Sequence, residues 1–514
     1  MLKKKKFFST MRRRTMGIKA SLAKPLAAFA VRQINKWKNQ PIIAQRKVFE
    51  KLIQRAKNTS FGRDHHFDAI KSYEDFKKRV PISDYEDLKP YIDRVVQGEP
   101  NVLWPGIPKY LAKTSGTTSG VKYIPISNES MPEHVKAARN ALFCYVHETG
   151  KSEFIDGKII FLQGSPVLEK KNGLSFGRLS GIVANHVPAY LQKNRLPSYR
   201  TNCIDDWEEK VDAIVEETRL EDMRLISGIP PWVQMYFDRM SARAQGAKIG
   251  DIFKNFSLFV YGGVNFEPYR ARLEESIGRK VDSIETYPAS EGFIAFQDSQ
   301  KDKGLLLLVD AGIFYEFIPS DEYFDENPSR VSLEDVELNK NYAIILNTNA
   351  GLWGYSIGDT VKFVSKEPYR IVVCGRIKHF ISAFGEHVIA EEVEHAILSV
   401  SEDEEVEIVE FTVAPQVNPP SGLPYHEWYV EFAKPPKDMQ SFSMKVDRVL
   451  QNRNSYYFDL VEGKILRPLL MHALERGAFI NYMRAEGKLG GQNKVPRLSN
   501  DRRIANELDK SIKR

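Results

Sequence analysis

The sequence predicts an α/β protein of two domains. The larger carries a mainly parallel sheet flanked by helices and a small antiparallel barrel-like part; the smaller is α+β. Three observations predict it. Between residues 205 and 300, short apolar runs alternate with amphipathic stretches, the pattern of parallel strands joined by crossover helices. From 305 to 374 the apolar runs are closely spaced with turn residues between them, which reads as antiparallel. Past Gly375 the pattern changes again, to mixed helices and strands with a polar tail. A chain of 514 residues that is 42% hydrophobic has the length for more than one core.

Taken in order, the chain starts strongly basic. Residues 1–49 contain fourteen Lys or Arg and no acidic residue. Residues 50–514 hold 60 basic against 67 acidic side chains, so the overall charge of +7 becomes −7 for the body. That balance argues against a nucleic-acid surface on the main domain. Lys3 to Lys6 and Arg12 to Arg14 precede a helical pattern over Gly17–Trp37, with Ile18, Leu22, Leu26, Phe29, Val31 and Ile34 as its apolar residues. Such a start can lie on an anionic membrane or resemble an organelle-targeting peptide, but it lacks the apolar core and cleavage site of a secretory signal. The reading adopted is a disordered basic tail over 1–16 and a helix docked on the body over 17–37, with no need for membrane contact. No run of eighteen apolar residues occurs, so no transmembrane helix is expected. Cys144, Cys203 and Cys374 are scattered and odd in number; they predict no disulfide framework and a reducing cytoplasm.

Helical periodicity resumes over Gln45–Lys57 and again over 131–147, behind the helix-start signature Ser127-Asn-Glu-Ser130. Lys158–Leu162 reads as a buried strand. Trp207, Val211, Ile214 and Val215 mark a helix, and Arg224–Ser227 a strand. Pro230 and Pro231 open a helix carrying Trp232, Met235, Tyr236 and Met240. Leu258–Tyr261 and Val281–Tyr287 are further strands. The antiparallel set is Leu305–Val309, Ile313–Ile318, Tyr342–Asn347, Val361–Val364 and Arg370–Cys374. A helix at 390–399, strands near 406–413 and 428–433 and a helix at 441–451 complete the smaller domain. The expected segments are therefore 1–37, 38–375 and 376–514.

The stretch Tyr110 to Ile126 organises the chemistry. Thr114, Ser115, Gly116, Thr117, Thr118, Ser119 and Gly120 are all small, and most carry hydroxyls. Small side chains let backbone N–H groups turn toward an anion, and hydroxyls add uncharged donors. Lys113 and Lys122 bring positive charge to the edges. The other common phosphate loop is excluded, because three residues separate Gly116 from Gly120 and Val121 stands at its Lys position. A hydroxyl-rich surface turn is the competing reading of this stretch alone.

Three further stretches follow expected strands, where α/β sheets place ligands. Val260-Tyr-Gly-Gly-Val264 has paired glycines, Gly262 and Gly263, that let backbone approach a flat base. Thr286-Tyr-Pro-Ala-Ser-Glu-Gly292 sets a ring (Tyr287) to stack, a hydroxyl (Ser290) to donate to phosphate and a carboxylate (Glu291) to hold magnesium. Gly354-Tyr-Ser-Ile-Gly-Asp359 offers a carboxylate that can accept from both ribose hydroxyls. Taken singly, Tyr287 as core, Glu291 as a solvated acid and Asp359 as a cap are equally good readings.

Together, and in this order, these stretches resemble the adenylate-forming superfamily of acyl-CoA synthetases, peptide-synthetase adenylation domains and luciferase. The closer resemblance is to the auxin-responsive Gretchen Hagen family of acyl acid amido synthetases. It rests on Phe61-Gly-Arg63, Tyr91-Ile-Asp-Arg94, Thr114-Ser-Gly-Thr-Thr-Ser-Gly120, Tyr287-Pro-Ala-Ser-Glu291 and Gly490-Gly-Gln-Asn-Lys-Val-Pro-Arg497, and covers the chain from about residue 40.

The resemblance implies an ATP- and Mg2+-dependent ligase that turns a carboxylic acid into its acyl-adenylate and passes the acyl group to an amine, often of an amino acid. It assigns Tyr287, Gly262 and Gly263 to adenine, Ser290 to the α-phosphate, Asp359 to ribose, and Glu291 to magnesium. Arg376 is expected to hold the nucleotide where the domains meet, and Lys494 to serve adenylation. The Gly-Gln-Asn-Lys context of Lys494 departs from the Gly-Lys of the CoA ligases and favours the amido synthetase branch. The small domain is expected to swing about Lys378 and His379, although many relatives carry Asp or Lys where His379 stands. An apolar acid is expected among Phe176, Ile182, Trp232, Met235 and Tyr236, residue types that are as often core. His186 and His426 are read as structural or surface residues. The alternatives are a CoA-type ligase, or a non-catalytic relative that binds nucleotide or docks on membranes. No nucleic-acid partner is expected.

Overall fold

The structure is a computed structural model that describes residues 17–114, 121–187, 192–204, 206–263, 266–320, 322–377, 380–381, 383–386, 388–486, 495 and 497–513. Among the described residues the strands, in chain order, begin with β1 (Tyr110–Thr114), β2 (Lys122–Ile126), β3 (Lys158–Phe161), β4 (Glu169–Lys171), β5 (Leu174–Gly177) and β6 (Arg195–Leu196). They continue with β7 (Met223–Ser227), β8 (Leu258–Gly262), β9 (Asp282–Ala289), β10 (Gly292–Phe296), β11 (Leu305–Leu307), β12 (Ile313–Pro319) and β13 (Asn341–Thr348). The rest are β14 (Tyr355–Lys366), β15 (Tyr369–Arg376), β16 (Phe380–Ile381), β17 (Val388–Ile389), β18 (Glu407–Gln416), β19 (Tyr425–Lys434) and β20 (Leu470–Leu474).

The parallel and antiparallel parts expected from the sequence are one sheet. Its order is β12-β13-β14-β15-β11-β10-β9-β8-β7-β3-β6. Strands β9, β8, β7, β3 and β6 run parallel. At β9 the direction reverses through the β9–β10 hairpin, and every ladder from there to β12 is antiparallel. The expected barrel-like part thus takes the form of an antiparallel extension of the main sheet. The connection that achieves this is long-range: Leu305 pairs with Ile371. A smaller sheet, β2-β1-β5-β4, stands beside it. After Arg376 the chain forms the β16–β17 hairpin and a three-stranded sheet, β18-β19-β20, with helices Ala390–Glu404, Met439–Arg453 and Ser455–Glu462.

Local chemistry explains the helices that frame the large sheet. Pro41 opens the helix Pro41–Ala56, where a missing N–H costs nothing, and Ala44, Val48, Leu52 and Ala56 form its buried stripe. Ser72 with Asp75, and Asp84 with Asp87, form reciprocal capping boxes on the next two longer helices. Glu316 of β12 is fully buried, yet it accepts from Tyr73, from Asn347 and from two nitrogens of Arg330. A buried carboxylate is tolerable only with such a set.

The N-terminal helix runs over Ile18–Lys38 and is docked, as expected. Asp156 accepts from the N–H groups of Gly17 and Ala20 at its start, and Lys38 pairs with Asp298 at 2.7 Å at its end. The docked face is not the expected one. Ala20, Ala23, Ala27, Ala30 and Ile34 are buried, while Leu22, Leu26 and Phe29 are 59%, 56% and 63% exposed. The cause is the neighbour: the helix lies against Met131–Thr149 in a cluster containing Ala137 and Ala141, and only small residues permit that close approach.

Candidate active site

The loop that opens the sequence argument joins two hydrogen-bonded strands. β1 and β2 pair antiparallel with Thr114 opposite Lys122, so residues 115–121 connect the legs of a hairpin. Ser115, Gly116, Thr117, Thr118, Ser119 and Gly120 themselves lie outside the described residues. Of the two edge lysines, Lys113 is ion-paired with Glu169 at 2.6 Å, and Lys122 sits over the Tyr85 ring. β1 also pairs in parallel with β5, which ties the hairpin to the segment carrying Phe176.

The glycine pair ends β8. Gly262 lies opposite Thr286 in the parallel β8–β9 ladder, and a Cβ there would come within 2.2 Å of the Thr286 carbonyl oxygen. Only glycine fits. Gly263 has φ +84°, the left-handed turn that takes the chain off the sheet. Thr286 donates its hydroxyl to the Tyr261 carbonyl at 2.9 Å, which locks the two strand ends together.

The next residue, Tyr287, is buried and donates its hydroxyl to Asp359. Ser290 and Glu291 are the two turn residues of the β9–β10 hairpin, both partly exposed. Asp359 was expected after a turn; it stands instead inside β14, opposite Arg376 of β15. Gly358 beside it has φ +81°, and its carbonyl accepts from the Ile377 N–H at 2.7 Å. One connected run therefore links Gly262, Thr286, Tyr287, Asp359 and Arg376 across two ladders and one side-chain hydrogen bond. Residues 114 positions apart in sequence, Gly262 and Arg376, are joined by this run.

The segment after the large sheet reaches the start of the 115–121 loop. The hydroxyl of Tyr456, on helix Ser455–Glu462, donates to the Lys113 carbonyl at 3.0 Å, one residue before the loop expected to hold phosphate. Tyr456 also meets the Thr114 side chain and feels the charge of Glu291; burial is the main reason its hydroxyl pKa is raised. The Arg178 guanidinium lies over its ring, 4.9 Å from the centroid, and pairs with Asp459 one turn further on. Arg178, Tyr456 and Asp459 escaped the sequence reading. No local pattern marks them; only the fold brings positions 178 and 459 together. Ile229, after β7, was missed too, and its side chain lies 3.6 Å from where a Gly263 Cβ would stand.

Lys378, His379 and Lys494 lie outside the described residues. Beyond Lys494 the chain is anchored: Val495 is buried with Ala414, Tyr429 and Leu474, and Arg497 pairs with Glu394 at 3.0 Å and with Glu410. Among the expected acyl-pocket residues, Phe176 and Ile182 belong to the core that includes β1 and β2, Phe176 edge-on to Tyr123. Trp232 and Met235 are half-buried on helix Pro230–Arg243 against a different core. Tyr236 is part of that core, fully buried with its hydroxyl 2.7 Å from Thr218 Oγ1. The histidines are structural: His186 is hydrogen-bonded to the Tyr110 hydroxyl at 2.9 Å, and buried His426 to Glu386 at 2.8 Å. Among the described residues no group of three or more His, Cys, Asp or Glu could hold a metal.

Three family models match in order: GH3 family N-terminal domain over residues 30–281, central domain over 306–376 and C-terminal domain over 391–503. Jasmonoyl–L-amino acid synthetase JAR4 of Nicotiana attenuata is 24% identical over 443 residues, 72% of this chain and 75% of that one. JAR6 of the same plant is 22% identical over 537 residues, 88% of this chain and 90% of that one. The solved structure of AtGH3.15 acyl acid amido synthetase in complex with 2,4-DB matches with a TM-score of 0.60 at 17% identity, covering 95% of this chain and 96% of that one. A 2-hydroxyisobutyryl-CoA ligase matches with a TM-score of 0.54 at 14% identity, over 96% and 93% of the two chains. At these identities the structural matches speak for the fold.

Proposed function

Because the chain belongs to the GH3 family, we propose that the site just described is the adenylation centre of an ATP-dependent acyl acid amido synthetase. The enzyme is an adenylate-forming ligase. A carboxylate oxygen of the acid attacks the α-phosphorus of ATP and pyrophosphate leaves. The nitrogen of an amine, an amino acid by the family's pattern, then attacks the acyl carbon; AMP leaves and the nitrogen loses its proton. The substrates are thus small-molecule acids and amino acids.

The observation that carries this reading is the linkage of Gly262 to Tyr287 through the β8–β9 ladder and of Tyr287 to Asp359 of β14 by a side-chain hydrogen bond, with the β1–β2 hairpin and Glu291 meeting at Tyr456. In this assignment the flat base lies against Gly262–Gly263 and Tyr287, the ribose hydroxyls donate to Asp359, and Ser290 with the 114–119 hydroxyls and N–H groups holds phosphate. Arg376 and Lys494 supply positive charge from the two sides of the hinge at 378–379, where the large domain gives way to the small one. Glu291 is a single carboxylate on a partly exposed turn, which suits Mg2+, an ion that keeps waters and takes its other ligands from the nucleotide phosphates. When bound, that ion neutralises phosphate charge. The scattered cysteines support a cytoplasmic setting; no described helix is long and apolar enough to cross a membrane.

The test is acid-dependent exchange of labelled pyrophosphate into ATP across a library of carboxylic acids, on wild type and Glu291→Ala. Exchange with particular acids that collapses in the variant is the expected result. Adding amino acids or CoA to the same reaction then identifies the acceptor; consumption by CoA alone would overturn the amide assignment. Measurable ATP binding with no exchange for any acid would overturn catalysis altogether.

A further inference from the structure

We propose that the outward face of the N-terminal helix docks the enzyme on an anionic lipid surface. The observation is the inverted packing of Ile18–Lys38. Its alanine face is spent on the body of the protein, which leaves Leu22, Leu26 and Phe29 more than half exposed. They are spaced i, i+4, i+7 and so form one exposed stripe along the flank of the helix, beside the docked face. Three large apolar side chains in a stripe on a helix otherwise well anchored at both ends are not explained by the core.

Charge selects the occupant. The helix carries Lys19, Lys24, Arg32, Lys36 and Lys38 and no acidic residue. Arg32 and Lys36 are exposed and continue the stripe at i+3 and i+7 from Phe29. The sequence just before the helix adds Lys3 to Lys6 and Arg12 to Arg14, while residues 50–514 carry a net −7. An apolar stripe edged by cations, on a protein whose body is acidic, matches the acyl boundary and headgroups of a lipid leaflet containing anionic lipid. A second copy of the chain fits less well, because packing stripe on stripe brings Arg32 and Lys36 against like charge. The helix lies in the interface plane; none in the described residues could span it.

Co-sedimentation of the full chain with vesicles of phosphatidylcholine alone, and with phosphatidylserine added, tests this independently of any enzymatic activity. The chain is expected to bind the phosphatidylserine vesicles and to be released by high salt. Leu22→Ser with Phe29→Ser, and separately Arg32→Glu with Lys36→Glu, should each weaken binding by about tenfold or more. All four positions are exposed, so thermal midpoints should stay at the wild-type value and separate lost docking from lost folding. Equal partition onto both vesicle types, no binding, or variants that bind like wild type would overturn the proposal. So would a concentration-dependent dimer that the Leu22→Ser, Phe29→Ser pair abolishes, which would give the stripe to self-association.

Discussion

Replacing Gly262 by Ala is the sharpest probe of the nucleotide assignment. The new Cβ would stand 2.2 Å from the Thr286 carbonyl oxygen and 2.7 Å from Thr286 Oγ1. An unstrained carbon–oxygen contact is about 3.3 Å, so the β8–β9 ladder has to open by about 1 Å at its last rung. The obstacle is backbone in a parallel ladder, which cannot swing aside as a side chain can. Overpacking of this kind costs about 1–3 kcal/mol. The strain falls where Thr286 hydrogen-bonds Tyr261 and directly before Tyr287, whose hydroxyl reaches Asp359. If most of the cost appears in binding, the KM for ATP in pyrophosphate exchange rises by about tenfold or more, since 1.4 kcal/mol is a factor of ten. Gly263→Ala is the companion variant. Among the described residues its Cβ would meet the Ile229 side chain alone, at 3.6 Å, so its cost there comes from the φ of +84°, about 1–2 kcal/mol. A Gly262→Ala enzyme whose KM stays within about twofold of wild type, about 0.4 kcal/mol by the same conversion, would refute the close approach of nucleotide to this rung.

Other perturbations test the frame around the site. Arg330→Leu strands the fully buried Glu316 carboxylate with only Tyr73 and Asn347, and should destabilise the fold by about 3–5 kcal/mol in denaturant titration; a loss under about 1 kcal/mol would mean that the carboxylate does not depend on its guanidinium. Asp459→Arg sets like charge against Arg178 and should loosen the contact of helix Ser455–Glu462 with the β2-β1-β5-β4 sheet, seen as a larger radius in small-angle scattering, with the swap Arg178→Asp, Asp459→Arg restoring it. Identical scattering from all three proteins would show that the pair holds nothing. Acid should act through Glu427. Burial alone would raise its pKa, but the hydrogen bond from His472 and the Arg502 guanidinium outweigh that and hold it at about 2, below the usual 4.5. Its contribution, on the order of 3 kcal/mol, is present above pH 4.5 and lost as pH falls toward 2, so Glu427→Gln should flatten the acid limb of stability; an unchanged limb would refute it.

Much of the site was legible because its motifs are local. Tyr287 to Glu291 and Gly262–Gly263 lie where a strand-end reading puts ligand contacts. Asp359 was legible as a residue but not as a position, since a strand of Val361–Val364 was expected and the ladder begins at Tyr355. The union of the two sheet halves was not legible, because the pairing of β11 with β15 spans over sixty residues and leaves no trace in local periodicity. The N-terminal helix gives the clearest physical lesson. Hydropathy ranks Leu22, Leu26 and Phe29 above alanine, but packing two helices closely rewards small volume, and the alanines won the interior. Arg178, Tyr456 and Asp459 act between segments that share no sequence neighbourhood, so nothing short of the fold could join them.

The bond from the Ile377 N–H to the Gly358 carbonyl has a mechanical meaning. Among the described residues it is the last backbone rung before the chain leaves the large sheet, so a pull on the C-terminal segment loads the β14–β15 ladder first beside Asp359. Peeled ladders yield at far lower force than sheared ones. A tether on the C-terminus would therefore load the rungs beside Asp359 first. Nucleotide bound there as proposed should brace those rungs and raise the force at which they open, a measurable report of occupancy.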